Sequence, residues 1–120
     1  MNERERPERF SKERSDCTVR ALTTVSGLPY DQVHEAFRIA GRKDRRGVKA
    51  KKVIQKVCRI LNLKAIQVQR SGSVRKLIKR YPVGSLFCTM RGHAFPVIDG
   101  IIKDWVSPFV HLRGAWLISK

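Results

Sequence analysis

Apolar residues recur at helical spacing in the first half of this 120-residue chain and gather into short, β-rich runs in the second. Ala21, Leu22 and Val25 mark one face of a segment that stops at Gly27, which is placed to end a helix in the left-handed conformation. Ser15 or Asp16 can cap its start, which puts Cys17 in the first turn. After Leu28-Pro29-Tyr30, residues Asp31 to Gly41 carry a buried stripe of Val33, Ala36, Phe37 and Ala40, with His34 assigned to the surface or a cap. A third helix from about Val48 to Leu61 buries Val53, Val57 and Leu61, with Ile54 and Cys58 as further candidates, and Asn62 can end it. Lys64 to Gln69 reads as a strand, Ser73 caps a short helix through Arg80, and Pro82-Val83-Gly84 breaks it. From Ser85 onward the pattern is strand after strand, with Cys88 as a core position. Helices first and an antiparallel sheet after predict an α+β domain.

Size narrows this further. A chain of this length with 42% apolar residues fits one compact domain with a modest core, assigned to residues 15–120. Residues 1–14 alternate Glu with Arg or Lys and read as a mobile charged arm. Cys17, Cys58 and Cys88 are widely spaced and odd in number, which argues against a disulfide framework and for a reducing compartment. Neither Cys-x-x-Cys nor His-x₃-His spacing occurs, so no metal or other cofactor is expected. The first residues are too charged for a signal peptide and no apolar run approaches a membrane span, so the expected location is the cytoplasm, with no membrane partner.

Two segments carry candidate chemistry. At the start of a helix, unpaired N–H groups and the positive end of the dipole favour a Cys17 thiolate, while the neighbouring Asp16 carboxylate opposes it. Farther on, Arg91 to Val106 holds two β-rich runs separated by Asp99-Gly100, a strong hairpin signal. With those two residues as the turn, Ile98 faces Ile101 and Phe95 faces Asp104. His93 and Asp104 then become diagonal neighbours on one face, about 7–8 Å apart at the backbone and within side-chain reach. A nucleophile needs an adjacent base, and the base needs a group that fixes its tautomer and stabilises its cation. Cys17, His93 and Asp104 can fill those three roles. Trp105 and Trp116 are expected to pack in the core or over the sheet.

The segments Asp16-Cys17-Thr18-Val19-Arg20-Ala21-Leu22 and Gly92-His93-Ala94, followed by Asp99-Gly100 and Asp104-Trp105, resemble the papain-like fold in its small bacterial and phage versions. Bacteriocin-processing and NlpC-type cell-wall peptidases look similar in outline. The resemblance implies a helix headed by Cys17 packed across an antiparallel sheet that carries His93 and Asp104. It also implies a thiol hydrolase acting on a polypeptide or other amide substrate, expressed in a bacterial host by a phage. Papain-like enzymes usually place a Gln shortly before the cysteine to help hold the oxyanion. Residues 9–16 contain neither Gln nor Asn. The Cys17 N–H, with Ser11, Ser15 or a basic side chain, would have to supply that hole, and loss of one donor elsewhere costs about 10²- to 10³-fold in turnover.

Charge adds a second possibility. The formal net charge is +16, and residues 42–80 hold fifteen Lys or Arg against one Asp. Arg42, Lys43, Arg45 and Arg46 lie in a basic loop, whereas Lys49, Lys52, Lys56 and Arg59 fall on one face of the third helix. Arg75, Lys76, Lys79 and Arg80 repeat the theme on the next. Such a surface attracts polyanions in a salt-dependent way, and nucleic acid or an acidic host protein would both answer to it. Two expectations therefore go forward. One is a cysteine hydrolase; the other is a catalytically idle papain-like scaffold that binds a polyanion through its basic region.

Overall fold

The computed structural model describes residues 17–40 and 50–120. The charged arm, the Ser15 or Asp16 cap, and the basic positions Arg42, Lys43, Arg45, Arg46 and Lys49 lie outside the described residues. Within them the chain forms α1 (Cys17–Ser26), α2 (Tyr30–Ile39), α3 (Ala50–Ile60), β1 (Lys64–Gln69), α4 (Val74–Arg80), β2 (Ser85–Met90), β3 (His93–Ile98), β4 (Ile101–Ile102) and β5 (Gly114–Ser119). It is a mixed α+β fold, with four helices among the described residues and a five-stranded antiparallel sheet of order β1-β5-β2-β3-β4.

Local signals set the helix ends. Gly27 has φ +71° and donates its N–H to the Thr23 carbonyl at 3.0 Å, closing α1. Asn62 takes the same left-handed conformation, φ +62°, after α3. There Asn62 N–H reaches Arg59 O at 3.2 Å and Leu63 N–H reaches Cys58 O at 2.7 Å, the paired bonds of a Schellman motif. Ser73 Oγ accepts from Lys76 N–H at 3.2 Å and caps α4. In α1, nearly all of it buried, Thr23 and Thr24 hydroxyls donate to carbonyls four residues back, at 2.8 and 3.0 Å. Polar side chains thereby sit inside the fold with their donors satisfied.

Period-2 alternation gives the sheet two apolar faces. Phe87, Ala94, Trp116 and Ile118 face one way and join Val19, Leu22, Val33, Phe37, Ile54 and Val57 in the larger core. On that side α1 lies against β3 and β2, α2 against α1 and α3, and α3 against β1. Leu86, Cys88, Phe95, Val97 and Ala115 face the other way and meet Val74 and Leu77 of α4 with Val106 and Leu112. The result is three layers: helices α1–α3, the sheet, and a cover made by α4 and residues 103–113.

Three expectations need correction. His34 is buried, at 7% exposure, on a helix packed against α1 and α3, and it stacks on Tyr30, one helical turn earlier, at 5.9 Å between centroids. The chain after Ser85 is not strand throughout: β4 has two residues, and an irregular stretch precedes β5. Ser107-Pro108 in that stretch supplies the turn chemistry that interrupts it. Trp105, expected to pack, is 88% exposed, whereas Trp116 is buried as expected.

Trp116 sets a local constraint on β5. A Cβ on Gly114 would stand 2.6 Å from Cη2 and 2.8 Å from Cζ3 of the indole, which is itself wedged beside Phe87 at 6.1 Å between centroids. Gly114→Ala must therefore displace a ring in the middle of the core. The expected cost is about 1–3 kcal/mol, read as a lower urea midpoint with an unchanged m-value.

Candidate active site

The hairpin that positions His93 forms in the expected register. Ile98 pairs with Ile101 and Val97 with Ile102, and Asp99 and Gly100 have φ of +49° and +78°, the signs a type I′ turn requires. Asp99 is committed to this corner: its backbone N–H donates to Gly84 O at 2.9 Å and its Oδ1 accepts from Gly84 N–H at 2.8 Å. The ladder then ends sooner than the sequence suggests. Lys103 N–H still reaches Pro96 O at 2.9 Å, but Asp104 lies in a bend instead of opposite Phe95 within a strand.

That bend brings Asp104 onto His93. The Asp104 Oδ2 and His93 Nε2 atoms are 2.7 Å apart, with both side chains about four-fifths buried. Oδ1 accepts the Trp105 backbone N–H at 2.7 Å, so both carboxylate oxygens are engaged. An ionised carboxylate can only accept, which assigns the proton to Nε2 and leaves the Nδ1 lone pair free to take one. The imidazole is flanked by aromatic rings, Phe95 at 6.2 Å and Trp105 at 5.8 Å, each within about 30° of parallel. Its orientation is thus fixed by one charged hydrogen bond and two stacked neighbours.

Cys17 is the first residue of α1, half-buried, with a free thiol, and packs at the margin of the helical core. Strand alternation has a direct effect here. Ala94 points toward the α1–α3 side, whereas His93 lies opposite Met90 and shares the α4 side with Phe95. The thiol and the imidazole therefore belong to different faces of the sheet, and no hydrogen bond joins them. His93 is, however, the first residue of β3, and β4 pairs only with Val97 and Ile98, so no described strand covers the beginning of β3 on that edge.

The other two thiols are held in the protonated form. Burial pushes Cys58 up to about 11 and Cys88 up to about 12. No cluster of three or more His, Cys, Asp or Glu able to hold a metal occurs among the described residues, and no helix among them is long and apolar enough to cross a membrane.

The described members of the basic set are exposed: Lys52, Lys56 and Arg59 on α3, and Arg75, Lys76, Lys79 and Arg80 on α4. Sequence reasoning missed Trp105 and Phe109 as surface residues. The signal available was the Ser-Pro break between them, which removes the strand periodicity that would have put both on one face of the sheet.

The chain matches no family model, no curated protein and no solved structure.

Raised thiol pKa values give a directional test. Below about pH 10, Cys58 and Cys88 remain neutral and poorly nucleophilic as well as covered. Iodoacetamide at pH 8 should label Cys17 alone in the native protein. Peptide mapping should find the other two cysteines modified only after denaturant unfolds the chain.

Proposed function

We propose that the protein is a papain-like cysteine hydrolase of the small phage type, cleaving an amide, peptide or isopeptide bond inside a bacterial host through Cys17, His93 and Asp104. The observation that carries this reading is the 2.7 Å contact between His93 Nε2 and Asp104 Oδ2 at the open end of the strand against which the Cys17 helix packs. A largely buried carboxylate aimed at an imidazole flanked by aromatic rings is a means of making one nitrogen a reliable base.

In this mechanism Nδ1 accepts the Cys17 proton and the thiolate attacks the substrate carbonyl carbon. The developing oxyanion takes hydrogen bonds from backbone N–H groups at the head of α1. The imidazolium, stabilised by Asp104, returns its proton to the departing amine as the C–N bond breaks, leaving a thioester on Cys17. Water, deprotonated by Nδ1, then attacks the thioester and releases the acid and the free thiol. Catalysis requires Cys17 Sγ and Nδ1, which lie on different faces of the sheet, to meet at hydrogen-bond distance in the substrate complex. Exposed basic rows on α3 and α4 would favour an acidic substrate protein.

The second reading, an idle scaffold that binds a polyanion, is favoured by the separation of Cys17 and His93 on the two faces of the sheet together with those same basic rows. Acylation distinguishes the two without knowledge of the substrate. With p-nitrophenyl acetate, intact-protein mass spectrometry should show one acetyl group on Cys17, followed by its slow loss. His93→Ala should slow acylation by about 10²- to 10⁴-fold, the usual contribution of a positioned base, and Asp104→Ala should slow it by less. Equal acylation rates in all three proteins would remove the catalytic reading and leave the scaffold.

A further inference from the structure

Residues 103–113 and α4 form a single surface. Arg75 N–H donates to Pro108 O at 2.9 Å, Val74 N–H to Val110 O at 3.3 Å, and Leu112 N–H to Gly72 O at 2.7 Å. Val74, Leu77, Val106 and Leu112 anchor the inner side in the second core. What faces outward is unusual in two independent respects. The outer side of α4 carries Arg75, Lys76, Lys79 and Arg80, all exposed, with no acidic residue in the helix. Residues 103–113 add two large exposed aromatics, Trp105 at 88% and Phe109 at 70%, the second against Arg75 of α4.

Neither aromatic is loosely placed. Trp105 is held by its N–H on Asp104 and by stacking on His93, and Val106 next to it is buried. Phe109 is held by its N–H on Ser107 Oγ at 3.2 Å, and the Arg75 guanidinium lies 5.8 Å from its ring centroid. Each ring therefore presents a flat apolar face at a fixed place, and Phe109 does so next to the first cation of α4. Isolated exposed apolar residues are common on protein surfaces. Two anchored aromatic rings and four exposed cations on one layer of the fold are a combination with a specific ligand chemistry.

We propose that this face binds single-stranded nucleic acid, with bases stacking on Trp105 and Phe109 and the α4 cations neutralising the phosphates. Single strands offer the two matching features together, unstacked π-faces and a regular line of negative charge. A duplex presents its phosphates but keeps its bases stacked, so it can use the helix and not the rings. An acidic peptide can answer the charge and leaves both rings without a partner. This inference goes beyond the hydrolase reading and does not depend on Cys17 being a nucleophile.

The test is fluorescence anisotropy of the full chain with a labelled oligothymidylate of about 12 nucleotides, within the range one such surface covers. Binding should weaken with salt, log Kobs falling against log[salt] with a slope near −3 for about four phosphates. Trp105→Ala and Phe109→Ala should each weaken binding about 5- to 100-fold, the range for loss of one stacked base, with the slope unchanged. Trp105→Phe should restore most of it. Lys76→Gln with Lys79→Gln should instead reduce the slope by about 1.4, which is 0.7 for each lost charge. Both aromatic side chains are outside the core, and unchanged emission from the buried Trp116 in Trp105→Ala checks the fold. Wild-type affinity in Trp105→Ala, or displacement of the oligonucleotide by polyglutamate at equal charge concentration, overturns the proposal.

Discussion

Apolar burial on both faces of β2, β3 and β5 is the constraint from which the rest of the arrangement follows. A strand buried on one side can slip by one residue at the cost of exposing its apolar set; a strand buried on both sides has no such freedom, because each position must suit a different layer. Phe87 and Trp116 fit beneath the helices, and Leu86, Cys88 and Ala115 fit beneath α4 and residues 103–113. Gly114 sharpens the requirement, since the indole occupies the space a side chain would take. Once the register is fixed in this way, the side on which each polar residue at the strand ends emerges is fixed as well.

His93 is placed by that logic. It continues the face of Phe95 and Val97 to the start of β3, where the core gives way to solvent and an ionisable ring can be largely covered without being buried unpaired. Asp104 reaches it because β4 is short. Two more residues of regular ladder would have held the carboxylate opposite Phe95; the bend after Ile102 lets it close directly on Nε2. The same bend sends Trp105 outward, so the aromatic cover of the imidazole and the His-Asp contact have a single geometric origin.

Much of this was legible in the sequence, because the decisive signals were local. Gly27, Asn62, Ser73 and Asp99-Gly100 each do what their side chains and backbone freedom allow, and the helical stripe of Val33, Ala36, Phe37 and Ala40 is buried as its spacing requires. His34, Trp105 and the relation of Cys17 to His93 were not legible, since each depends on what another layer does. His34 sits beside an apolar stripe, and only the packing of neighbouring elements decides whether its side of the helix is covered. Trp105 has the composition of a core residue and lies in a segment whose periodicity a Ser-Pro turn removes. Counting alternation within one hairpin places His93 beside Asp104, but it says nothing about which face of the sheet the Cys17 helix covers.

The distribution of acids links the two functional readings. Between residues 50 and 120 only Asp99 and Asp104 are acidic: the exposed Asp99 accepts the Gly84 N–H at the hairpin corner, and Asp104 is taken by His93 and the Trp105 N–H. The cations of α3 and α4 consequently far outnumber the acids within this span, and an external polyanion would relieve their mutual repulsion. Asp104 also holds the backbone of the residue that gives this surface its most exposed ring. An occupant stacked on Trp105 would rest against the ring that flanks His93. A basic docking face and a thiol hydrolase are therefore compatible uses of one architecture, with the bend at Asp104-Trp105 as their common element.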